Sequence, residues 1–132
     1  MQRLILMRHA KTEPWTEGVD DHARALTPVG HEAAAAMAVA LKTEGWAPER
    51  AVVSTARRTR ETWVHLSAVF ESCEMILEED LYLAGERGVS DLIADHDGAR
   101  TLIIISHNPG LHDLSLSILR SAGSRDHQAA IR

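Results

Sequence analysis

The sequence predicts a three-layer α/β/α domain built on a mainly parallel sheet. Two short apolar runs, residues 4–7 and 102–105, have the length and composition of strands that are buried on both faces. Predicted strands and predicted helices alternate along the chain of 132 residues, which is typical of layered α/β folds. The sequence contains no repeat and no interdomain linker, so we expect a single domain over residues 1–132.

The predicted elements follow one another in a regular order. After the first strand, the polar stretch over residues 11–26 is long for a connection, so we expect it to be functional. Thr27 and Pro28 have the features of a helix N-cap and a first helical residue. The remaining elements are a helix over 29–43, a strand over 51–54, a helix over 56–70, an edge strand over 75–77, a polar connection over 78–88, a helix over 89–96, a strand over 102–105 and a helix over 111–120.

Composition and charge exclude several classes of partner. The formal charge of −5 disfavours nucleic acid and anionic membranes, so an anion site must be a local cluster of Arg and His. The single cysteine, Cys73, fits a reducing compartment, and the first strand begins too close to Met1 for a signal peptide, so we expect a cytoplasmic protein. No apolar run approaches the roughly 20 residues that cross a bilayer. Neither an HExxH motif nor paired cysteines occur, so we expect no metal site and no cofactor.

Charged and imidazole side chains follow the predicted strands at the point where each strand ends. Arg8 and His9 follow the first strand, Arg58 lies shortly after the second, and His107 follows the last. Because ligands bind at the carboxyl edge of a parallel sheet, we expect these side chains to converge there. An imidazole nucleophile surrounded by guanidinium groups suits a phosphoryl group.

Each of these residues has an ordinary explanation when it is taken alone. A charged residue at a strand end is usually solvated, and His107 precedes Asn108, Pro109 and Gly110, which are typical of a turn. Arginines in the first turn of a helix oppose the helix dipole, however, which indicates that some of them bind an anion. The four residues together therefore indicate an anion site more specifically than any one of them does alone.

Short motifs in a fixed order carry a family resemblance. They are RHAKT over residues 8–12, DHARALTPVG over 21–30, STARRTRET over 54–62, EDLY over 79–82 and HNP over 107–109. In order and spacing they resemble the histidine phosphatase superfamily, which has the phosphoglycerate-mutase-like fold. The chain is most similar to the small, single-domain SixA-type phosphohistidine phosphatases, from residue 3 to about residue 120.

The resemblance implies a metal-free reaction through a covalent intermediate on His9. His9 attacks phosphorus, while Arg8, Arg58 and His107 hold the non-bridging oxygens as three cationic groups. The motif spacing assigns the family arginine to Arg58 and not to its neighbour Arg57. Arginine suits this role because its planar fork binds two oxygens at once.

Other residues are assigned smaller roles by the same resemblance. Thr12 and Asn108 are expected to add neutral hydrogen bonds to the phosphate. Glu79, three residues before Tyr82, occupies the position of the general acid in the mutase and ester-phosphatase branches. A solvated acidic loop explains Glu79 equally well, because Glu78 and Asp80 flank it.

The sequence departs from the family pattern in two places. Ser106 stands where relatives have a glycine before the second histidine, so its side chain is expected either to crowd the site or to form a hydrogen bond in it. Relatives also continue with a further strand, whereas residues 129–131 give only a faint apolar signal. We therefore expect the last strand to be missing, which leaves an exposed sheet edge and a less stable sheet.

These observations leave more than one function open. Short connections predict a shallow, open site, which suits a phosphohistidine displayed on a partner protein. The alternative within enzymes is a phosphatase of small phosphate esters or nucleotides. The alternative outside enzymes is a non-catalytic phosphate-binding or partner-binding domain, against which the intact set of Arg8, His9, Arg58 and His107 argues.

Overall fold

The structure is a computed structural model that describes residues 1–123 and has the predicted α/β architecture. Its strands are β1 (Arg3–Arg8), β2 (Arg50–Ser54), β3 (Glu74–Glu78) and β4 (Thr101–Ser106). Its helices are α1 (Pro28–Thr43), α2 (Arg57–Val69), α3 (Glu86–Asp95) and α4 (Gly110–Gly123). Two short 3-10 turns, Asp21–Ala23 and Glu79–Leu81, lie in the connections.

The described strands form one parallel sheet in the order β1-β4-β2-β3. The uniformly apolar strand β4 lies between β1 and β2, which explains why it has no polar face. The register aligns Arg8 of β1 with Ser106 of β4. The prediction of a mainly parallel sheet with β3 at an edge is confirmed for the described residues.

Helices cover both faces of the sheet, so the predicted three layers are confirmed. The side chains of β4 alternate between the two cores: Ile103 and Ile105 pack in the cluster that contains Trp63 and Leu66 of α2, whereas Leu102 and Ile104 pack in the cluster that contains residues of α3 and α4. Burial of each such aliphatic side chain stabilises the fold by about 1.5–3 kcal/mol.

Element boundaries agree with the sequence except in two connections. The Thr27 side chain caps α1 as predicted, because its hydroxyl accepts a hydrogen bond from Gly30 N at 2.9 Å. Helix α3 begins at Glu86, three residues before the predicted residue 89, so Gly88 lies inside the helix and not in the polar connection. The 3-10 turn Asp21–Ala23 has no apolar periodicity and was not predicted.

Two glycines allow helix starts to touch the loops that follow the sheet. A Cβ at Gly30 would lie 2.1 Å from the carbonyl oxygen of Lys11, and one at Gly110 would lie 2.2 Å from that of Ala84. Both contacts are with backbone, which cannot move aside easily. The first turns of α1 and α4 therefore fix the loops that carry the site.

Three further expectations from the sequence concern the last residues, membrane-spanning helices and metal sites. Residues 129–131, for which a weak strand signal was noted, lie outside the described residues. Within residues 1–123, no helix is both long and apolar enough to cross a membrane. In the same part of the chain, no group of three or more His, Cys, Asp or Glu side chains is arranged to hold a metal ion.

Candidate active site

The carboxyl ends of β1 and β4 bring together the two predicted histidines. His9 N donates a hydrogen bond to the Ser106 carbonyl at 3.2 Å, which aligns the residues that follow the two strands. The ring centroids of His9 and His107 are 5.4 Å apart. Residues far apart in sequence thus meet at the sheet edge where parallel sheets bind ligands.

One nitrogen of the His9 imidazole is fixed by the backbone. Its Nδ1 lies 2.8 Å from the carbonyl oxygen of Ala10, so Nδ1 carries the proton and donates it, and Nε2 keeps its lone pair. Ala10 is itself held, because its N–H donates to Thr62 Oγ1 at 3.2 Å. Burial lowers the pKa of His9 to about 4, with smaller contributions from Arg58 and Arg8, so His9 is neutral at neutral pH.

His107 is buried and lies against a serine hydroxyl. Its Nε2 is 2.8 Å from Ser54 Oγ, whereas its Nδ1 is buried without a partner among the described residues. Burial, followed by the charge of Arg58, lowers the pKa of His107 to about 4. The expectation that His107 is a third cationic group is therefore wrong for the free protein, in which it is a neutral hydrogen-bonding group.

The two adjacent arginines at the start of α2 differ sharply in burial. The side chain of Arg58 is 4% exposed, whereas that of Arg57 is 52% exposed and lies 3.6 Å from Glu61. Arg58 donates from Nη1 to the Asp21 carbonyl at 2.8 Å and from Nη2 to Asp21 Oδ2 at 3.2 Å. Its Nε is buried without a partner in the described part of the chain, so one donor stays available for an anion.

A polar cluster from the connections surrounds the Arg58 guanidinium. We call Asp21, Arg24, Arg58 and Tyr82 the Asp21 cluster. Arg24 Nε donates to Asp21 Oδ1 at 2.9 Å, and the Tyr82 hydroxyl donates to Asp21 Oδ2. The Tyr82 hydrogen bond, together with the charges of Arg58 and Arg24, lowers the pKa of Asp21, so the carboxylate stays ionised.

Tyr82 connects this cluster to the histidines. Its ring lies edge-on to His107 with centroids 5.7 Å apart, and the Arg58 guanidinium carbon is 5.8 Å from its centroid. On its other side the ring of His22 is 4.8 Å away, and His22 Nε2 lies 3.0 Å from Thr55 Oγ1. Aromatic and imidazole rings therefore form one wall of the site.

Sequence reasoning missed several residues of this arrangement. Asp21, His22 and Ser54 were not among the predicted site residues, although each lies inside a quoted motif. The available signal was the length of the loop over residues 11–26 together with the Asp-x-x-Arg spacing, which forms an i,i+3 ion pair in the turn. A buried hydroxyl such as that of Ser54 leaves no such signal.

Arg8 and Glu79 lie at exposed positions near the sheet edge. Arg8 is the last residue of β1, and its charge contributes to the lowered pKa of His9. Glu79 opens the turn Glu79–Leu81, and its carbonyl oxygen accepts from Tyr82 N at 3.0 Å. The exposure of Glu79 fits the description of a solvated acidic loop as well as that of a proton donor.

The two predicted neutral ligands already have partners in the protein. Thr12 Oγ1 accepts from Arg24 Nη1 at 3.5 Å, which connects it to the Asp21 cluster. Asn108 is exposed, and its Oδ1 accepts from His112 N at 3.2 Å in the first turn of α4. Asn108 thus stabilises the helix start, and only its amide nitrogen is left for a ligand.

Ser106 does not occupy the space between the histidines. Its buried hydroxyl donates to the carbonyl oxygen of Leu81 at 3.2 Å. The substitution of the usual glycine therefore connects the end of β4 to the turn that precedes Tyr82.

The last two residues of the motif over 54–62, Glu61 and Thr62, hold the loops beside helix α2. Glu61 Oε1 accepts from Leu26 N at 2.9 Å and so holds the end of the loop over residues 11–26. Thr62 Oγ1 donates to the Arg58 carbonyl at 2.8 Å and accepts from Ala10 N. One helical turn thus presents Arg58 to the site while it fixes both loops that border it.

Sequence comparison identifies the family. The profile of the histidine phosphatase superfamily (branch 1) matches residues 4–82, which is more than half of the chain. The chain belongs to this superfamily. A solved structure from Nakamurella multipartitia, provisionally assigned as the phosphohistidine phosphatase SixA, is 30% identical, with a TM-score of 0.81 over 98% of this chain and 73% of that one.

Two further solved structures extend the similarity. The protein histidine phosphatase SixA in complex with tungstate is 26% identical, with a TM-score of 0.70 over 85% of this chain and 73% of that one. A provisionally assigned SixA from Agrobacterium tumefaciens has a TM-score of 0.85 at 24% identity, over 89% of this chain and 77% of that one, and shows the fold alone. More distant structures include a phosphoglycerate mutase and an alpha-ribazole phosphatase, which likewise show the fold.

Proposed function

We propose that this protein is a phosphohistidine phosphatase that acts on a phosphorylated partner protein through a covalent phosphoryl group on His9. Three nitrogen atoms carry the proposal. They are the unprotonated Nε2 of His9, whose ring centroid lies 5.4 Å from that of His107, and two buried nitrogens that have no partner among the described residues, Nε of Arg58 and Nδ1 of His107. The oxygens of a phosphoryl group would accept hydrogen bonds from Arg58 Nε and His107 Nδ1. The lone pair on Nε2 of His9 would form the new bond to phosphorus.

The reaction has two balanced steps. His9 Nε2 forms a bond to phosphorus as the bond from phosphorus to the substrate nitrogen breaks. The substrate reacts with its second ring nitrogen protonated, so that it leaves as a neutral imidazole, and the positive charge passes to the phosphorylated ring of His9, which keeps its proton on Nδ1. Water then attacks phosphorus, the bond to Nε2 breaks, and inorganic phosphate leaves. Arg58 and Arg8 offset the charge on the non-bridging oxygens in both steps, and His107 donates a hydrogen bond.

Two observations favour a protein-bound phosphohistidine over an alkyl phosphate. An imidazole needs much less protonation to leave than an alkoxide does, and the one predicted proton donor, Glu79, is solvent-exposed. Arg8, Glu79 and Asn108 are exposed, which leaves this edge of the sheet accessible to a side chain of a folded partner. The SixA proteins among the similar structures support the same substrate class.

The single cysteine supports a cytoplasmic location for this activity. A metal or cofactor has no role in the proposed steps, which use only side chains of this chain and water.

A substrate panel tests the proposal. The panel contains a protein phosphorylated on histidine, an aryl phosphate, sugar phosphates and nucleotides, and each is assayed for phosphate release. We expect the highest kcat/KM for the phosphohistidine protein and a protein-bound phosphoryl group that is labile in acid and stable in alkali, as an N–P bond is. A preference for small esters would favour the alternative phosphatase.

Matched histidine variants separate catalysis from folding. His9→Ala is expected to abolish turnover without a change in thermal stability of more than about 1 kcal/mol, since the side chain adds little to the core. His65→Ala removes a histidine of α2 whose Nε2 lies 2.8 Å from Nδ1 of His31, and it is expected to keep full activity. Full activity in His9→Ala, or an acid-stable adduct, would refute the mechanism, and the absence of any phosphoenzyme or turnover would favour a binding domain.

A further inference from the structure

We propose that Ser54 is a positioning residue that sets the tautomer of His107, so that His107 presents an N–H, and not a lone pair, to the phosphoryl group. This inference rests on the proposed function of the site. It concerns a residue that touches neither the substrate nor the reacting atoms and acts through its neighbour.

The position of Ser54 in the sheet makes the contact specific. Ser54 is the last residue of β2 and is fully buried, and β2 lies directly beside β4, from which His107 follows. Its Oγ lies 2.8 Å from Nε2 of His107. Within residues 1–123, this is the one hydrogen bond that Ser54 Oγ makes.

Proton accounting determines the direction of this hydrogen bond. If Nε2 of His107 carried the proton, it would donate to Ser54 Oγ, and the buried hydroxyl proton would have no acceptor among the described residues. Nδ1 would then present a lone pair to an anion, which is repulsive. If Ser54 donates instead, the hydroxyl proton is satisfied and Nδ1 carries a proton that lacks only an acceptor.

The two histidines therefore share one tautomer but use opposite nitrogens. In His9 the protonated Nδ1 is fixed by the Ala10 carbonyl at 2.8 Å, and the bare Nε2 is presented to phosphorus. In His107 the bare Nε2 is fixed by Ser54, and the protonated Nδ1 is presented to a phosphoryl oxygen. A backbone acceptor makes one imidazole a nucleophile, and a hydroxyl donor makes the other a hydrogen-bond donor.

Nitrogen NMR tests this assignment without reference to turnover. Long-range 15N–1H spectra of the whole chain at neutral pH report which ring nitrogen of His107 is protonated, and comparison with His107→Gln assigns the signals. We expect a protonated Nδ1 in the wild type and a shift toward protonated Nε2 in Ser54→Ala. We also expect the Kd of inorganic phosphate to rise about tenfold in Ser54→Ala, as for one lost hydrogen bond to a charged group.

Two further variants control the experiment. Ser54→Thr keeps the hydroxyl and is expected to restore both the tautomer and the phosphate affinity. Ser115→Ala removes another buried hydroxyl, which donates to Leu111 O in α4, and is expected to change neither. Thermal unfolding of each variant shows whether it is folded.

The possible results test the role of Ser54 separately from the proposed phosphatase function. A protonated Nε2 in wild-type His107 overturns the proposal even if every variant fails to fold. An unchanged tautomer or an unchanged phosphate Kd in folded Ser54→Ala also overturns it, as does a folded Ser54→Thr that behaves like the alanine variant. If the spectra agree with the assignment but the substrate panel shows no phosphatase activity, the proposed function fails and the role of Ser54 stands as a determinant of phosphate binding.

Discussion

The candidate site has two halves that differ in how they are built. The sheet-edge half consists of site residues that directly end or follow strands: Arg8, His9, Ser54 and His107. The loop half is the Asp21 cluster together with His22, which come from connections and from the start of α2. The first half is mostly neutral and held by strand geometry, whereas the second is charged and held by ion pairs.

This difference indicates a division of labour. In the proposed function, the sheet edge positions the atoms that form and break bonds, and the neutral state of both histidines follows from their burial. The loop half supplies positive charge and orients Arg58 through Asp21, at 2.8 and 3.2 Å. Variants in the two halves are therefore expected to change different kinetic parameters.

Arg58→Ala gives the largest effect that we expect in the loop half. Loss of a buried guanidinium that stabilises charge in the transition state is expected to lower kcat/KM about 10²–10³-fold. Arg57→Ala is the matched control, because its side chain is 52% exposed and pairs with Glu61. Steady-state assays of both variants with one substrate make the comparison, and equal losses would contradict the assignment of Arg58.

Asp21→Asn separates orientation from charge. The amide keeps the shape of the side chain but loses the charge-assisted hydrogen bonds from Arg58 and Tyr82, so kcat is expected to fall about tenfold. Binding of inorganic phosphate is not expected to weaken, because a negative charge beside the anion site disappears. Kinetics and phosphate titrations measure the two effects, with the exposed Asp95→Asn as a control; loss of phosphate affinity would show that the carboxylate is needed for binding.

The pH dependence tests the sheet-edge half. His9 and His107 have pKa values lowered to about 4, and the neutral forms are the active ones, so kcat/KM for an aryl phosphate is expected to fall as pH drops through about 4. The two groups interact, so the acid limb belongs to the pair. Loss of activity already near pH 6.5, the ordinary value for histidine, would show that the site does not keep them neutral.

The lowered pKa values of His9 and His107 also predict how the stability of the fold changes with pH. In the unfolded chain these histidines bind protons near pH 6.5, whereas in the folded protein they do so only near pH 4. The free energy of unfolding is therefore expected to decrease as pH falls from about 6.5 to 4. Thermal unfolding across this range measures the change, and His9→Ala is expected to show a smaller one.

Glu79→Gln is expected to have the smallest effect. With a phosphohistidine protein, kcat is expected to change about twofold or less, because an imidazole leaves with little help from a general acid. Asp80→Asn, an exposed carboxylate in the same turn, is the matched control. A large loss with Glu79→Gln alone would identify Glu79 as a proton donor.

The sheet-edge half was largely predictable from the sequence. Short apolar runs define β1 and β4, and the residues at their carboxyl ends meet because parallel strands run in the same direction. Arg8, His9 and His107 were placed at this edge by that reasoning, and Arg58 by the motif spacing. The boundaries of α1 and α2 followed from the N-cap at Thr27 and from helix propensity.

The loop half was less predictable for a physical reason. Irregular segments have no apolar periodicity, so the pairing of Asp21 with Arg58 depends on how the loop folds back over α2. The charge state of His107 was also predicted incorrectly, because it depends on burial, which a sequence pattern does not report. Ser54 was missed because a serine at the end of an apolar strand has many ordinary explanations.

The strand order has a consequence for how the protein folds. Among the described residues, β1 pairs with β4 alone, and residues 9–100, most of the described chain, separate the two strands. During synthesis β1 leaves the ribosome first and waits, with its apolar side chains uncovered, until β4 is complete. Non-local pairing of this kind slows folding, so assembly of the two histidines is expected to be a late event, and an N-terminal fragment that ends before β4 is expected to aggregate.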